Sequence, residues 1–190
     1  MTLATRALTL VGLLGAALAL VVAIALSVAD WGPPGSPSYD TYELINRLAV
    51  VPIALMIGVP LALLWPVAVA DRDTRRAATG LLVGLAATAL GTAAEFWLFS
   101  EDPYAGPDSL GRNLSYLFGT FLGGIATVVY LGVLGRRAMR TGLLASGPAL
   151  LLMSLPVAFL VLAVLPTPVT PYVTPPIGIG VVGIVMILRA

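Results

Sequence analysis

One carboxylate stands inside an otherwise apolar stretch of the sequence. Glu95 is the only charged residue in 77–99. A carboxylate inside a membrane segment is costly, so it normally faces the interior of a helix bundle and marks a path for protons or solutes. Gly84, Thr88 and Thr92 precede it at three- and four-residue spacing, which places small and polar residues on its helix face. This stripe predicts that Glu95 points at other helices and not at lipid.

Side chains that could pair with this carboxylate occur where neighbouring helices are expected to begin. The predicted polar cluster comprises Glu95, Arg47, Arg112, Asn113 and Tyr116. We expect Glu95 to pair with Arg47 or Arg112, directly or through Tyr116, because burying a lone charge is costly. Two interpretations follow. The cluster is either a clamp that fixes helix ends or a proton or solute site beneath the outer loops.

The composition excludes most other chemistry. The 190 residues contain no histidine or cysteine, and all ten cations are arginine. Histidine-ligated haem and zinc, thiolate metal sites, Ser-His and Cys-His nucleophiles and lysine Schiff bases are therefore excluded. The sequence also has no glycine-rich phosphate loop and no paired intramembrane carboxylates. We therefore predict no catalytic residue, no cofactor, no metal and no enzymatic activity.

The hydrophobic content identifies the class of protein. Hydrophobic residues make up 59% of the chain and charged residues only 10%, whereas an average globular domain is about a quarter charged. This excludes a soluble domain, a disordered tail and a nucleic-acid binder, and predicts an integral protein of the lipid bilayer. Because a spanning helix needs about 20 apolar residues, we predict one all-α domain over 1–190. It is a polytopic bundle of six transmembrane helices at about 7–29, 48–70, 77–99, 114–135, 142–165 and 175–188.

Two prolines lie in the middle of predicted helices. Pro60 in helix two and Pro156 in helix five are predicted kinks, because proline lacks the amide hydrogen and clashes with the preceding turn. At an offset of 96 residues the two helices align with Pro60 on Pro156, which predicts a 3+3 inverted repeat. A competing similarity is the Thr-Gly-Leu-Leu motif that starts at Thr79 and again at Thr141, which pairs helices three and five.

The arginines predict the orientation in the membrane. In a six-helix bundle eight of the ten lie on one side: Arg6, Arg72, Arg75, Arg76, Arg136, Arg137, Arg140 and Arg189. The positive-inside rule then places both termini in the cytoplasm. Richness in Ala, Gly, Val, Leu, Pro and Arg favours a prokaryotic cell membrane. We interpret the arginine clusters as topology determinants, with contact to anionic lipid headgroups as the alternative.

The first helix could also be a signal peptide. Arg6, an apolar run and then Ser27-Val28-Ala29 are typical of a cleaved leader. The apolar run is about 20 residues long, whereas leaders normally have ~7–15. We therefore expect the first helix to be retained.

Two short segments carry a family resemblance. Tyr42-Glu-Leu-Ile-Asn-Arg and Glu95-Phe-Trp-Leu-Phe resemble segments of small multi-spanning membrane proteins of high-GC bacteria and archaea. The resemblance would cover most of the chain. That group has no known activity, so the resemblance implies no function.

Sparse polarity inside the predicted membrane segments favours an accessory or structural membrane protein. Such a protein would bind a membrane-protein partner or form a homo-oligomer. The alternative is a small-solute or proton-coupled transporter with Glu95 as the coupling carboxylate. An accessory subunit should have a packed interior. A transporter should contain a cavity lined by polar side chains.

Overall fold

The structure, a computed structural model, describes residues 2–29, 32, 36–64, 72–99, 106–142, 144–164 and 170–189, without the side chains of 106–109. Every regular element in these ranges is helical. Six helices are long and apolar enough to cross a membrane: Leu3–Val28, Pro37–Leu64, Arg72–Leu98, Leu110–Arg140, Ser146–Val164 and Pro171–Leu188. The predicted all-α bundle of six helices is confirmed. The predicted helix residues 65–70, 143 and 165 lie outside the described ranges.

In the described ranges the six spans consist of eight α-helices, two π-helical segments and one 3-10 turn. The α-helices are α1 (Leu3–Val28), α2 (Pro37–Met56), α3 (Gly58–Leu64), α4 (Arg72–Ala93), α5 (Gly106–Leu114), α6 (Leu122–Arg140), α7 (Ser146–Val164) and α8 (Thr174–Leu188). A first π segment, Ala94–Leu98, continues α4, and a second π segment, Ser115–Phe121, joins α5 to α6. A 3-10 turn, Pro171–Val173, leads into α8.

The spans form a closed ring. Helix α1 packs against α2, α3 and α8, α4 packs against α2, α3 and α6, and α7 packs against α6 and α8. Helices α4 and α6 have the most extensive contact. We call the end of the bundle where α1 and α4 begin the arginine end and the opposite end the Glu95 end. Helix α1 therefore begins and helix α8 ends at the arginine end.

The second span begins at Pro37, eleven residues before the predicted start at 48. Ser36 caps it, because its hydroxyl oxygen accepts a hydrogen bond from the Tyr39 amide at 3.3 Å, and proline suits the first helical position. The fourth span also begins early, at α5 instead of 114. These corrections convert predicted loop residues into helix and place Glu43 one turn before Arg47.

The two central prolines behave differently. Helix α2 ends at Met56 and α3 begins at Gly58, so the span is interrupted one turn before Pro60. Proline at position 60 cannot donate to the Met56 carbonyl and its ring clashes there. Helix α7 runs without interruption through Pro156. The inverted repeat stays a prediction.

The polar stripe on α4 packs against the fourth span. A Cβ atom added at Gly84 would lie 2.7 Å from the Thr127 Oγ1 atom, and one at Gly123 would lie 2.6 Å from the Thr88 Oγ1 atom. The backbones at Gly91 and Gly119 also touch. Small residues permit this approach. It brings the end of α4 and the second π segment together at the Glu95 end.

Candidate functional site

Both π segments carry side chains of the predicted cluster. The first holds Glu95, and the second holds Tyr116 together with Thr120, which the predicted cluster did not include. In the first segment the Phe99 amide donates to the Ala94 carbonyl at 3.1 Å. This wide turn inserts an extra residue and changes the direction of the side chains that follow, and such turns occur frequently at functional sites. The sequence showed no sign of either segment.

Glu95 lies inside the bundle, as the stripe on α4 predicted. Its exposed fraction is 9%. Within the described part of the chain its Oε2 atom has no hydrogen-bond partner. The Arg112 guanidinium and the Thr120 hydroxyl are the groups that act on its charge. A buried carboxylate oxygen without a partner is rare in proteins and calls for an explanation.

Both arginines of the predicted cluster pair with Glu43 instead of Glu95. The Arg112 Nη1 atom lies 3.3 Å from the Glu43 Oε1 atom, and the Arg47 Nη2 atom lies 3.5 Å from the Glu43 Oε2 atom. The expected direct pair with Glu95 is therefore not formed among the described residues. We call Glu43, Arg47 and Arg112 the Glu43 triad. Its formal charge is +1.

The remaining cluster residues separate. The Arg112 guanidinium carbon lies 4.9 Å from the centre of the Phe96 ring, a cation–π distance. Asn113 is exposed, so it does not belong to the site. Tyr116 stays, because it borders the interior cavity and acts electrostatically on Tyr172. The Tyr172 hydroxyl is buried and has no hydrogen-bond partner among the described residues.

A cavity of about 310 Å³ opens between α1, α2, α4, the two π segments and α8. It extends from Met56 and Leu85, halfway along the bundle, to Leu26 and Thr170 near the Glu95 end. Nine of its lining residues are polar: Tyr42, Asn46, Thr88, Thr92, Glu95, Tyr116, Thr120, Thr170 and Tyr172. Glu95 is the one charged residue among the residues that line it. The cavity therefore has a single negative pole at one end of a mostly apolar chamber.

Several polar side chains of the lining hydrogen-bond to neighbouring groups. The Thr88 hydroxyl donates to the Gly84 carbonyl at 2.9 Å, and the Asn46 amide donates to the Tyr42 carbonyl at 2.9 Å. The Thr92 and Thr120 hydroxyl oxygens lie 3.3 Å apart, so one hydroxyl donates to the other. These bonds leave lone pairs on the threonine hydroxyls and the Asn46 carbonyl oxygen as acceptors, whereas the hydroxyl groups of Tyr42, Tyr116 and Tyr172 in the same lining can both donate and accept. Together with the Glu95 carboxylate, these acceptors can bind a cation.

Aromatic rings form part of the cavity wall. The Tyr42 ring lies edge-on to Phe96 with ring centres 6.2 Å apart. The Tyr172 ring packs against the buried Phe159 with centres 5.8 Å apart. Ring faces attract organic cations. Together with the carboxylate they provide both a charge and a surface for a cationic ligand with an apolar body.

Sequence reasoning missed Glu43, Tyr42 and Tyr172. A signal for Glu43 existed, since Glu followed by Arg at i+4 pairs on a helix, but the segment was predicted to be loop. Tyr172 comes from a proline-rich segment 77 residues after Glu95, and only the fold brings them together. In the described ranges no three metal-ligating side chains cluster.

Comparison with protein-family models, with curated proteins and with solved structures finds no match. The resemblance to small multi-spanning proteins of high-GC bacteria and archaea therefore stays a prediction.

Proposed function

We propose that this integral membrane protein is a proton-coupled transporter of small organic cations, in which Glu95 binds either the substrate or a proton. One observation carries the proposal: the Glu95 carboxylate is 9% exposed, lacks a partner for its Oε2 atom, and lines an interior cavity. Ionisable groups inside a membrane protein typically mark ion and substrate paths.

The substrate class follows from the lining. A volume of about 310 Å³ is at the lower end of the range for small-molecule sites, roughly 300–1,000 Å³. One carboxylate favours a single positive charge. The rings of Tyr42 and Tyr172 beside this carboxylate favour an amine or a quaternary ammonium group on an apolar body.

Coupling to protons follows from having one carboxylate. A protonated Glu95 is neutral and no longer attracts a cation, so a proton and a substrate compete for it. The Arg112 guanidinium does not take this place, because it pairs with Glu43 at 3.3 Å. Exchange of a bound proton for a bound cation leaves the charge of the site unchanged, which suits alternating occupancy on the two sides of a membrane.

The cavity favours transport over the accessory role that the sparse polarity of the sequence favoured. An accessory subunit needs a packed interior, and lining a void with nine polar residues, five of them buried, has no structural benefit. A transporter of this type should purify alone or as a homo-oligomer. We propose no catalytic step, because Glu95 is the one carboxylate among the described residues that line the chamber.

The orientation completes the proposal. The arginine end should face the cytoplasm of a prokaryotic cell, because six of the ten arginines flank α4 and α6 there and arginine-rich loops stay inside. We expect a reporter that is active only in the cytoplasm to give a signal when fused to either terminus. A signal from one terminus alone would contradict an even number of spans, and silence at both would reverse the orientation.

Filling the cavity tests the proposal directly. Ala49 lines the chamber and is 7% exposed, so Ala49→Leu should occupy space meant for substrate. We expect proteoliposomes with an outward proton gradient to accumulate radiolabelled tetraethylammonium, and Ala49→Leu to reduce the initial rate at least about tenfold. Folding should persist, because a void accepts added methylenes.

The matched control is Val51→Leu on the same helix, since Val51 is 57% exposed towards lipid. It should keep wild-type uptake. Wild-type protein that folds but shows neither uptake nor binding of tetraethylammonium would overturn the organic-cation proposal. Equal loss in both variants would mean that uptake does not pass through the chamber.

A further inference from the structure

A second cavity lies on the opposite half of the molecule. It is a groove of about 1330 Å³ between the start of α4 and the end of α6, at the arginine end. Six arginines line it: Arg72, Arg75, Arg76, Arg136, Arg137 and Arg140. We call this feature the arginine groove. The proposed transport chamber does not use it.

The groove has a strong positive charge. Six arginines against Asp73 amount to +5 among its described lining residues. Asp73 is engaged by Arg137, whose Nη1 atom lies 2.7 Å from the Asp73 Oδ2 atom. The net charge of its described lining makes the groove complementary to an anion.

The helix dipoles make this arrangement unusual. Arginines at the end of α6 face the negative pole of that helix and are favourable there. Arg72, Arg75 and Arg76 crowd the positive pole at the start of α4, where cations are unfavourable. Topology alone could be satisfied by cations on any cytoplasmic loop. The concentration of these arginines in one cleft indicates a bound anion, whose charge would offset the repulsion among the guanidinium groups.

The groove is polar at one end and apolar along its length. Val83 and Val133 line its wall and are 61% and 44% exposed. Val83 lies eight residues after Arg75, roughly 12 Å further into the membrane layer at 1.5 Å per residue. The Tyr130 ring rests on the backbone at Gly80, between the two zones. A soluble anion could bind the arginines, but it would make no contact with the apolar surface of Val83 and Val133.

We infer that the arginine groove binds an anionic glycerophospholipid, with its phosphate on the arginines and an acyl chain along Val83 and Val133. Basic pockets between transmembrane helices on the cytoplasmic side are known to suit such headgroups. Charge complementarity, position at the membrane surface and the adjoining apolar wall select a lipid over a soluble phosphate.

The test measures binding by the thermal shift of the purified protein in mild detergent. Three additives are compared: phosphatidylglycerol, phosphatidylcholine with the same acyl chains, and inorganic phosphate. We expect phosphatidylglycerol to raise Tm at concentrations at least tenfold below those of phosphatidylcholine, and phosphate to have no effect. High salt should weaken the effect, because exposed charges are screened. Equal effects of the two lipids, or stabilisation by phosphate, would overturn the inference.

Arg76→Gln combined with Arg136→Gln removes two exposed charges from the groove. At about 1 kcal/mol per arginine, roughly fivefold each, the double variant should bind phosphatidylglycerol about 25-fold more weakly. The matched control combines Arg6→Gln with Arg189→Gln, which removes two exposed charges at the same end but away from the groove. Equal weakening in the control would overturn the inference. If the groove variant does not fold, the wild-type comparison of lipids still decides.

Discussion

Glu95→Gln should abolish proton-driven uptake of tetraethylammonium while the protein remains folded. The amide keeps the size of the side chain but removes the negative charge and the titration. Hydrogen bonds and contacts to a charged group contribute about 1.5–3 kcal/mol, so binding should weaken roughly tenfold to a hundredfold. Accumulation should fall to that of empty vesicles, because the variant cannot exchange a proton for the substrate.

The pH dependence gives the same prediction a second measurement. In the wild type, protonation of Glu95 removes the charge that attracts the substrate, so binding of tetraethylammonium should weaken as the pH falls. In Glu95→Gln the residual binding should be independent of pH. Equilibrium binding in detergent, followed by isothermal titration calorimetry across a pH series, measures both.

The thermal stability of Glu95→Gln distinguishes a transport role of Glu95 from a role as a clamp that fixes helix ends. Oε2 has no partner within the described structure, so a neutral amide should leave Tm unchanged or raise it. The matched control is Asp40→Asn, an exposed carboxylate at the same end of the bundle, which should keep wild-type uptake. A marked fall in Tm for Glu95→Gln with unchanged uptake would assign Glu95 to the clamp.

Glu43→Gln should produce the largest loss of stability at the Glu95 end. Glu43 pairs with two guanidinium groups. Its side chain is 16% exposed, and the side chain of Arg112 is 11% exposed. Breaking a buried pair costs about 3–5 kcal/mol because it leaves a buried charge unanswered. Since Arg47 is 40% exposed, we expect a loss of about 3 kcal/mol, the lower end of that range. Thermal unfolding in detergent measures it.

A double-mutant cycle controls for the change in side chain. Arg112→Gln alone should be strongly destabilising, whereas Glu43→Gln with Arg112→Gln should cost clearly less than the sum of the two single changes. Arg47→Gln should cost only about 0.5 kcal/mol, because an exposed i,i+4 pair contributes little. Additive losses in the cycle would show that the Glu43 triad does not couple α2 to the fourth span.

The membrane class and the six spans followed from residue types alone. Long apolar segments can satisfy their backbone in lipid only as helices, so composition and length were sufficient. The inward direction of Glu95 followed from the spacing of Gly84, Thr88 and Thr92, because a 3.6-residue period leaves one face for small and polar residues. The absence of histidine and cysteine from the sequence also limited the chemistry without any coordinates.

Tertiary packing determined which ion pairs form at the Glu95 end. Glu95 and Arg112 were predicted to pair because both occur near the same end, but Glu43 lies between α2 and the fourth span and takes both guanidinium groups. The early start of α2 at its Ser36 cap placed Glu43 there, and the π segments turned Glu95 and Thr120 towards the cavity. Which carboxylate an arginine pairs with depends on differences of about an ångström in the distances to the competing groups. Helix periodicity predicts the face of a residue but not such distances, which are fixed only when neighbouring helices pack.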